Sequence, residues 1–334
     1  MKNQLEANRQ GASPINVYTD LAVEVREALG RDDDIDGVCV TVQENATGDI
    51  SITQVVITTE DAAEKMGKPI GTYITIESEA MKQNNTVAHT EIKAVFAEQL
   101  AKLTRLDRGS VVLVVGLGNP RVTPDALGPQ AISKLLVTRH LSEAIPPDLA
   151  GDIRPLCAVS PGVMGMTGIE TAEIVKGIVD RVRPNLVIAI DALAARHTRR
   201  INATIQLSDT GISPGAGMGN KRKSIDMETL GVPVIAVGVP TVVDAATLVN
   251  DTMDSLLDAI IAQTDHGTEF YDMLKNLESE DKHRIITECL HPFRGNMFVT
   301  PKEVDATIDR LSNVIAGGIN IAMHEGLCLD DIQI

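Results

Sequence analysis

The chain has 334 residues, with 30 lysine and arginine residues against 46 aspartate and glutamate residues, so its formal net charge is −16 at pH 7. This acidic balance argues against general nucleic-acid binding, which needs a basic face. Only 2% of the residues are aromatic and tryptophan is absent, so platforms for stacking bases or sugars are not expected.

The cysteines and the apolar runs bound the compartment. Four cysteines are spread along the chain without a C-x-x-C pair, at Cys39, Cys157, Cys289 and Cys328, which argues against a disulfide framework or a zinc knuckle. No apolar run approaches the length of a signal sequence or a membrane span. We therefore expect a cytoplasmic protein without membrane association.

The N-terminal part predicts a flexible extension, a helix and a small β-rich unit. Residues 1–14 are polar and predict the flexible extension. Apolar residues that recur at spacing four predict a helix after it, with Thr19 or Asp20 as its cap and Gly30 at its end. Segments 38–43 and 50–57 alternate in polarity around a turn sequence and predict a hairpin. Segment 71–77 is a third strand candidate, so residues 38–77 form an appended β-rich unit.

The pattern changes after a predicted helix that begins at Thr90. Three nearly continuous apolar runs predict strands covered on both faces, at 111–118, 186–191 and 232–240. Helical patterns separate or follow them, at 126–140, 169–182 and 242–264. This order predicts an α/β fold with a mostly parallel sheet and helices on both faces. Residues 267–290 and 301–325 predict a C-terminal helical region.

Two aspartates are predicted to follow strands of this sheet. Asp125 lies in the loop after the first apolar run, and Asp191 ends the second. Ligands and catalytic groups collect at the carboxyl ends of parallel strands, and a buried unpaired carboxylate is unfavourable. Each aspartate alone is explained more simply as a helix N-cap, but the occurrence of both on one sheet favours a function.

Two neighbouring carboxylates support two kinds of hydrolysis. Because both cannot ionise easily, one keeps a proton as an acid while the other activates a water as a base. Alternatively, Asp125, Asp191 and a histidine form a three-ligand metal site, for which His197 is the nearest histidine in sequence. A surface position for His197 is the simpler interpretation.

Two glycine clusters and a basic cluster are candidates for a substrate cleft. The glycines lie within 160–168 and 211–224, and Gly162, Gly165, Gly215 and Gly217 either form mobile turns or line the cleft. Neither cluster matches a nucleotide-binding motif. Lys221 and Arg222 belong to the strongest basic cluster, which is either solvated or receives acidic substrate side chains.

Six long blocks resemble the spore germination protease family, endopeptidases that start the degradation of small acid-soluble spore proteins. The blocks are TDLAVE, GLGNPRVTPDALGP, SPGVMGMTGIET, IDALAARHTRRIN, SPGAGMGNKRK and GVPVIAVGVPTVVDA. GLGNP alone also occurs in peptidyl-tRNA hydrolases, and the block around Asp125 also resembles hydrogenase maturation proteases of related α/β fold, in which the equivalent acidic positions bind nickel with a histidine. The blocks together span most of the chain, which makes the resemblance specific.

The resemblance implies an atypical aspartic-type endopeptidase whose catalytic residues are Asp125 and Asp191, with no cofactor. It also implies a homotetramer in the forespore or spore core, made as a zymogen and activated by autoprocessing. Residues 1–20 then correspond to the propeptide, with cleavage between Asp20 and Leu21, and residues 21–334 to a single peptidase domain. Two alternatives stay open: a metal-dependent maturation-type protease, and a non-catalytic α/β interaction protein.

Overall fold

The computed structural model describes residues 19–29, 35–107, 109–141, 153–215, 222–263 and 297–324. The helix predicted over 267–290 lies outside these residues. In the described part of the chain, nine strands form one sheet with the order β1-β2-β3-β7-β8-β6-β4-β5, and β9 pairs with the end of β8. The strands are β1 (Val38–Glu44), β2 (Ser51–Ile57), β3 (Gly71–Glu77), β4 (Val112–Gly116), β5 (Leu156–Val159), β6 (Leu186–Ala195), β7 (Thr204–Ser208), β8 (Val234–Asp244) and β9 (Phe298–Val299).

The sheet is mixed, so the α/β class is confirmed and the expectation of a mostly parallel sheet is only partly right. Strands β5, β4, β6 and β8 pair in parallel, whereas β8, β7, β3, β2 and β1 pair antiparallel. The reason is β7, a five-residue strand that the sequence analysis missed. It pairs antiparallel with both β8 and β3 and so joins the N-terminal strands to the parallel part.

Helices cover both faces of the sheet, as predicted. The helices are α1 (Ala22–Ala28), α2 (Glu60–Met66), α3 (Thr86–Leu103), α4 (Leu127–Ser133), α5 (Met164–Thr167), α6 (Thr171–Val182), α7 (Met227–Leu230), α8 (Ala245–Gln263) and α9 (Val304–Met323). Apolar residues of α3, α4 and α9 pack with Val112 and Val114, while those of α6 and α7 pack with Leu113 and Val115. Alternate residues of β4 therefore face opposite helix layers.

Two predicted helix starts are wrong because the residues expected to cap these helices do not do so. Helix α3 begins at Thr86 rather than Thr90, since the Asn85 carboxamide accepts the N–H of Ala88 at 3.1 Å. Helix α1 begins after Leu21 without a side-chain cap, because Thr19 donates its hydroxyl to Glu24 and Asp20 bonds to a strand. None of the helices in the described part of the chain combines the length and the apolarity that a membrane crossing requires.

Candidate active site

A cleft of about 570 Å³ lies beyond the end of β4, beside the part of β6 that continues past it. Loops after α2, β4 and β5 line it together with β6 and β7. Its polar and charged walls include Asp20, Lys68, Asp125, Asp191, Gln206 and Arg222. The structure thus brings both predicted aspartates into one cleft.

Asp191 lies within β6 and not at its end. The parallel pairing with β4 stops at Ile190, and β6 then continues to Ala195 with β8 as its partner. The side chain is buried, with 6% of its surface exposed, and Oδ1 accepts the N–H of Ala192 at 2.9 Å. Because the chain stays a strand after Asp191, the helix-cap explanation is wrong for this residue.

Asp125 reaches the cleft from the loop between β4 and α4. It ends a short 3₁₀ turn, and its Oδ2 accepts the N–H of Asn119 at 2.8 Å. Helix α4 has no side-chain cap, so the helix-cap explanation is wrong here as well. Gly118 has φ +109°, and a Cβ there would lie 2.0 Å from the carbonyl oxygen of Asp125. The glycine therefore allows the loop to close on Asp125.

The environment of the two carboxyls favours a proton on Asp191 more than on Asp125. Burial raises the pKa of Asp191 well above its ordinary value, and the negative charges of Asp125 and Asp20 raise it further. Burial also raises the pKa of Asp125, but the N–H of Asn119 and the charge of Arg222 oppose this effect. The pair can therefore hold one acid and one base at the same time.

Residues 19–21 run along the edge of β6 that β4 leaves open. The N–H of Asp20 donates to the carbonyl of Ala194 at 3.0 Å, and Oδ2 of Asp20 accepts the N–H of Ala194 at 2.9 Å. The carbonyl oxygen of Asp20 accepts bonds from Lys68 Nζ at 2.9 Å and Gln206 Nε2 at 3.1 Å. Leu21 is fully buried. The Asp20 side of the predicted cleavage junction thus lines the cleft, and the Leu21 side packs into the core.

Lys68 and Gln206 are cleft residues that the sequence analysis missed. Gln206 lies in β7, which has no extended apolar run. Lys68 follows Gly67, which ends α2 in the left-handed backbone conformation. Neither lies in a recognisable motif. Only the packing of distant segments brings them to Asp20.

His197 does not join the aspartates. Its Nδ1 lies 3.6 Å from a carboxylate oxygen of Asp251, and the residue is not part of the cleft lining. Within the ranges that the structure describes, no group of three or more histidine, cysteine, aspartate or glutamate side chains could hold a metal ion. The three-ligand set of Asp125, Asp191 and His197 is therefore not assembled. The backbone of His197 is held away from the cleft, since its N–H donates to the Glu24 carboxylate at 2.9 Å.

The glycine and basic clusters reach the cleft only in part. Gly162, Gly215 and Arg222 line it. Gly165 does not, because it lies in the exposed single turn α5. Gly217 and Lys221 lie outside the described residues.

Comparison with known proteins identifies the family. The model of the germination protease family matches residues 18–265 and 256–334. A germination protease of Clostridium tetani is 48% identical over 319 residues, which cover 96% of this chain and 99% of the relative. Germination proteases of Priestia megaterium and Bacillus subtilis are 42% and 41% identical, over 93% and 97% of this chain and 95% and 96% of theirs. With both aspartates in one cleft and these matches over nearly the whole length, the chain belongs to the germination protease family of peptidases.

Proposed function

We propose that this chain is an endopeptidase of the spore core that starts the degradation of small acid-soluble spore proteins during germination. The observation that carries the proposal is the convergence of Asp125 and Asp191 in one cleft, where Asp191 is buried, Asp125 is half-buried and the charge of Asp125 acts on Asp191. Such a pair hydrolyses an amide without a nucleophilic side chain.

The two aspartates have different roles in this proposal. Asp191 is the more deeply buried and faces two other carboxylates, so it holds the proton. Asp125, stabilised by Asn119 and Arg222, is the ionised base. Asp125 takes a proton from water while the water oxygen attacks the carbonyl carbon. The C–N bond then breaks as Asp191 gives its proton to the leaving amine, so the products are a carboxylic acid and an amine.

The same cleft supports a zymogen with residues 1–20 as the propeptide. Residues 19–21 occupy the open edge of β6, where a substrate strand would otherwise bind. The carboxylate of Asp20 meets a backbone N–H, which suits a preference for an acidic residue before the cleaved bond. We propose that the chain cuts itself between Asp20 and Leu21, and that the active enzyme is a homotetramer.

The test compares Asp125→Asn and Asp191→Asn with the unchanged full-length chain on a purified small acid-soluble spore protein. Each substitution is expected to lower turnover by about 10²–10⁴-fold, because each removes one member of an acid–base pair. Asp180→Asn is the matched control, since Asp180 is exposed on α6 and pairs only with Lys176 in the described structure. Near-normal turnover in either cleft variant would refute the pair.

Mass spectrometry of the same preparations tests the zymogen. The unchanged chain should acquire an N-terminus at Leu21, and Asp191→Asn should keep the original one when no active enzyme is added. A chain that is fully active with residues 1–20 still attached would contradict the zymogen proposal. Light scattering of the processed chain then gives the number of subunits.

A further inference from the structure

One main-chain carbonyl in the cleft accepts two side-chain hydrogen bonds from different parts of the fold. It is the carbonyl of Asp20, and its donors are Lys68 Nζ at 2.9 Å and Gln206 Nε2 at 3.1 Å. Lys68 comes from the segment after α2, and Gln206 from the middle of β7. Two donors on one carbonyl oxygen form the arrangement that stabilises an oxyanion when that carbonyl is attacked.

The amide group of Gln206 is fixed by two contacts with the same segment. Its Oε1 accepts the N–H of Ala22 at 2.7 Å, while its Nε2 donates to the carbonyl of Asp20. The first contact determines which end of the carboxamide points at the carbonyl. One side chain therefore contacts the chain on both sides of the Asp20–Leu21 bond, at the carbonyl of Asp20 and at the N–H of Ala22, the first residue of α1.

Lys68 brings a cation to the same oxygen. Burial lowers its pKa, and the carboxylates of Asp20 and Glu24 counteract this effect. A cation in direct contact with an oxygen acts strongly on a charge that develops there, and the Lys68 side chain is half-buried at this contact. The Lys68 ammonium group contacts a neutral carbonyl oxygen in this structure, and its stabilising effect would increase once that oxygen becomes negative.

We infer that Lys68 and Gln206 are catalytic residues that bind the oxygen of the scissile carbonyl, in substrates as well as in the chain's own junction. This inference rests on the proposed function, because it takes Asp20–Leu21 as the bond to be cut. When water adds to the carbonyl carbon, the electron pair of the C=O bond moves to the oxygen, and both donors stabilise that oxyanion. The pair returns when the C–N bond breaks, so neither donor is consumed.

A purely structural role predicts a different outcome, which makes the inference testable. If Lys68 and Gln206 only anchor residues 19–22, their loss should release this segment from β6. If they act on the oxyanion, the segment should stay in place, because Ala194 still bonds to Asp20 and Glu24 still bonds to Arg196 and His197. The cut should then be slow although the junction is still docked.

The experiment uses the full-length chain and the variants Lys68→Met and Gln206→Met. The first-order rate at which an N-terminus at Leu21 appears is followed by mass spectrometry, and the amide hydrogen exchange of residues 19–29 is measured before the cut. Each variant is expected to cut about 10²–10³-fold more slowly, the typical loss for one oxyanion donor. Exchange in residues 19–29 should stay within a few-fold of the unchanged chain, and Lys68→Arg should recover part of the rate.

Lys82→Met is the matched control, because Lys82 also donates to a main-chain carbonyl, that of Arg199 at 2.8 Å, but lies outside the cleft lining. It should cut at the normal rate. Variants that cut at the normal rate, or that lose exchange protection in proportion to their rate, would overturn the inference while leaving the aspartate pair intact. An unchanged chain that never cuts at Asp20 would instead refute the proposed self-processing.

Discussion

Arg200 is a buried guanidinium that connects α1 to β3, and we expect Arg200→Met to destabilise the fold strongly. It bonds to Glu77 of β3 at 2.7 Å and to Glu27 of α1 at 2.7 and 2.8 Å, and lies 3.5 Å from Glu24. Only 3% of its side chain is exposed. The arginine therefore anchors the helix that follows the proposed cleavage junction.

The magnitude follows from how deeply each carboxylate is buried. The side chain of Glu24 is fully buried, so removing its cation leaves an uncompensated charge and costs about 3–5 kcal/mol. Glu27 and Glu77 keep 26% and 28% exposure, so each of their pairs adds roughly 0–1 kcal/mol. The backbone N–H groups of Arg196 and His197 still donate to the Glu24 carboxylate, so the expected loss of unfolding free energy lies toward the lower end of this range. For 334 residues, an unfolding entropy of about 2.1 cal/mol/K per residue converts 3–5 kcal/mol into a Tm loss of about 4–7 °C.

Thermal unfolding followed by circular dichroism measures this loss. Arg199→Met is the matched control, because Arg199 is 65% exposed and lies 3.7 Å from Glu27, so it should change stability by about 0–1 kcal/mol. Combining Arg200→Met with Glu24→Gln should recover part of the loss, since no buried charge remains. Equal Tm values for Arg199→Met and Arg200→Met would refute the argument from burial.

The same variant has a defined pH dependence. The hydrogen bond from Arg200 is the largest influence on Glu27 and lowers its pKa below the ordinary 4.5. A carboxyl with a lowered pKa stabilises the fold above its ordinary pKa, and this contribution disappears as the pH falls through the folded-state pKa. The difference in Tm between the unchanged chain and Arg200→Met should therefore narrow below about pH 4.5. A constant difference down to lower pH would contradict this account.

Three further outcomes test the site. Asp191→Asn should raise Tm by an amount that grows as the pH rises above 3.8, because the folded state keeps the Asp191 proton that the unfolded state loses. A difference in Tm between the two chains that stays constant with pH would count against the raised pKa of Asp191. Gly118→Ala should abolish cleavage, because the added Cβ would displace Asp125. Gly48 also has a positive φ but open space around it, so Gly48→Ala should keep activity at a stability cost of about 1–2 kcal/mol. Equal activities of the two variants in a peptide-cleavage assay would argue against the close contact at Gly118. Dialysis against a chelator should leave turnover unchanged, since no three-ligand cluster occurs in the described residues; loss restored by one particular divalent ion would favour the metal-dependent alternative.

Three of the four strands of the parallel part, and the meeting of the two aspartates at one edge of the sheet, could be predicted from the sequence, whereas β5 was missed. Short continuous apolar runs rich in β-branched residues indicate strands that are covered on both faces, and the carboxyl ends of neighbouring parallel strands meet at one edge of the sheet. Asp125 and Asp191 could therefore be placed together at this edge from local sequence patterns. The hairpin at 38–57 was also predictable, because alternation and turn residues are local signals.

The residues that surround the aspartates come together through contacts between distant segments, which the sequence does not reveal. The end of β4 at Gly116 leaves the edge of β6 open beyond Ile190, and this depends on how two strands of different length align. Strand β7 has polar residues and pairs with strands that are distant in sequence, so neither its position nor that of Gln206 follows from a local pattern. The contacts of Lys68 and Gln206 with the Asp20 carbonyl arise from pairings 48 and 186 residues apart, which composition and periodicity do not encode.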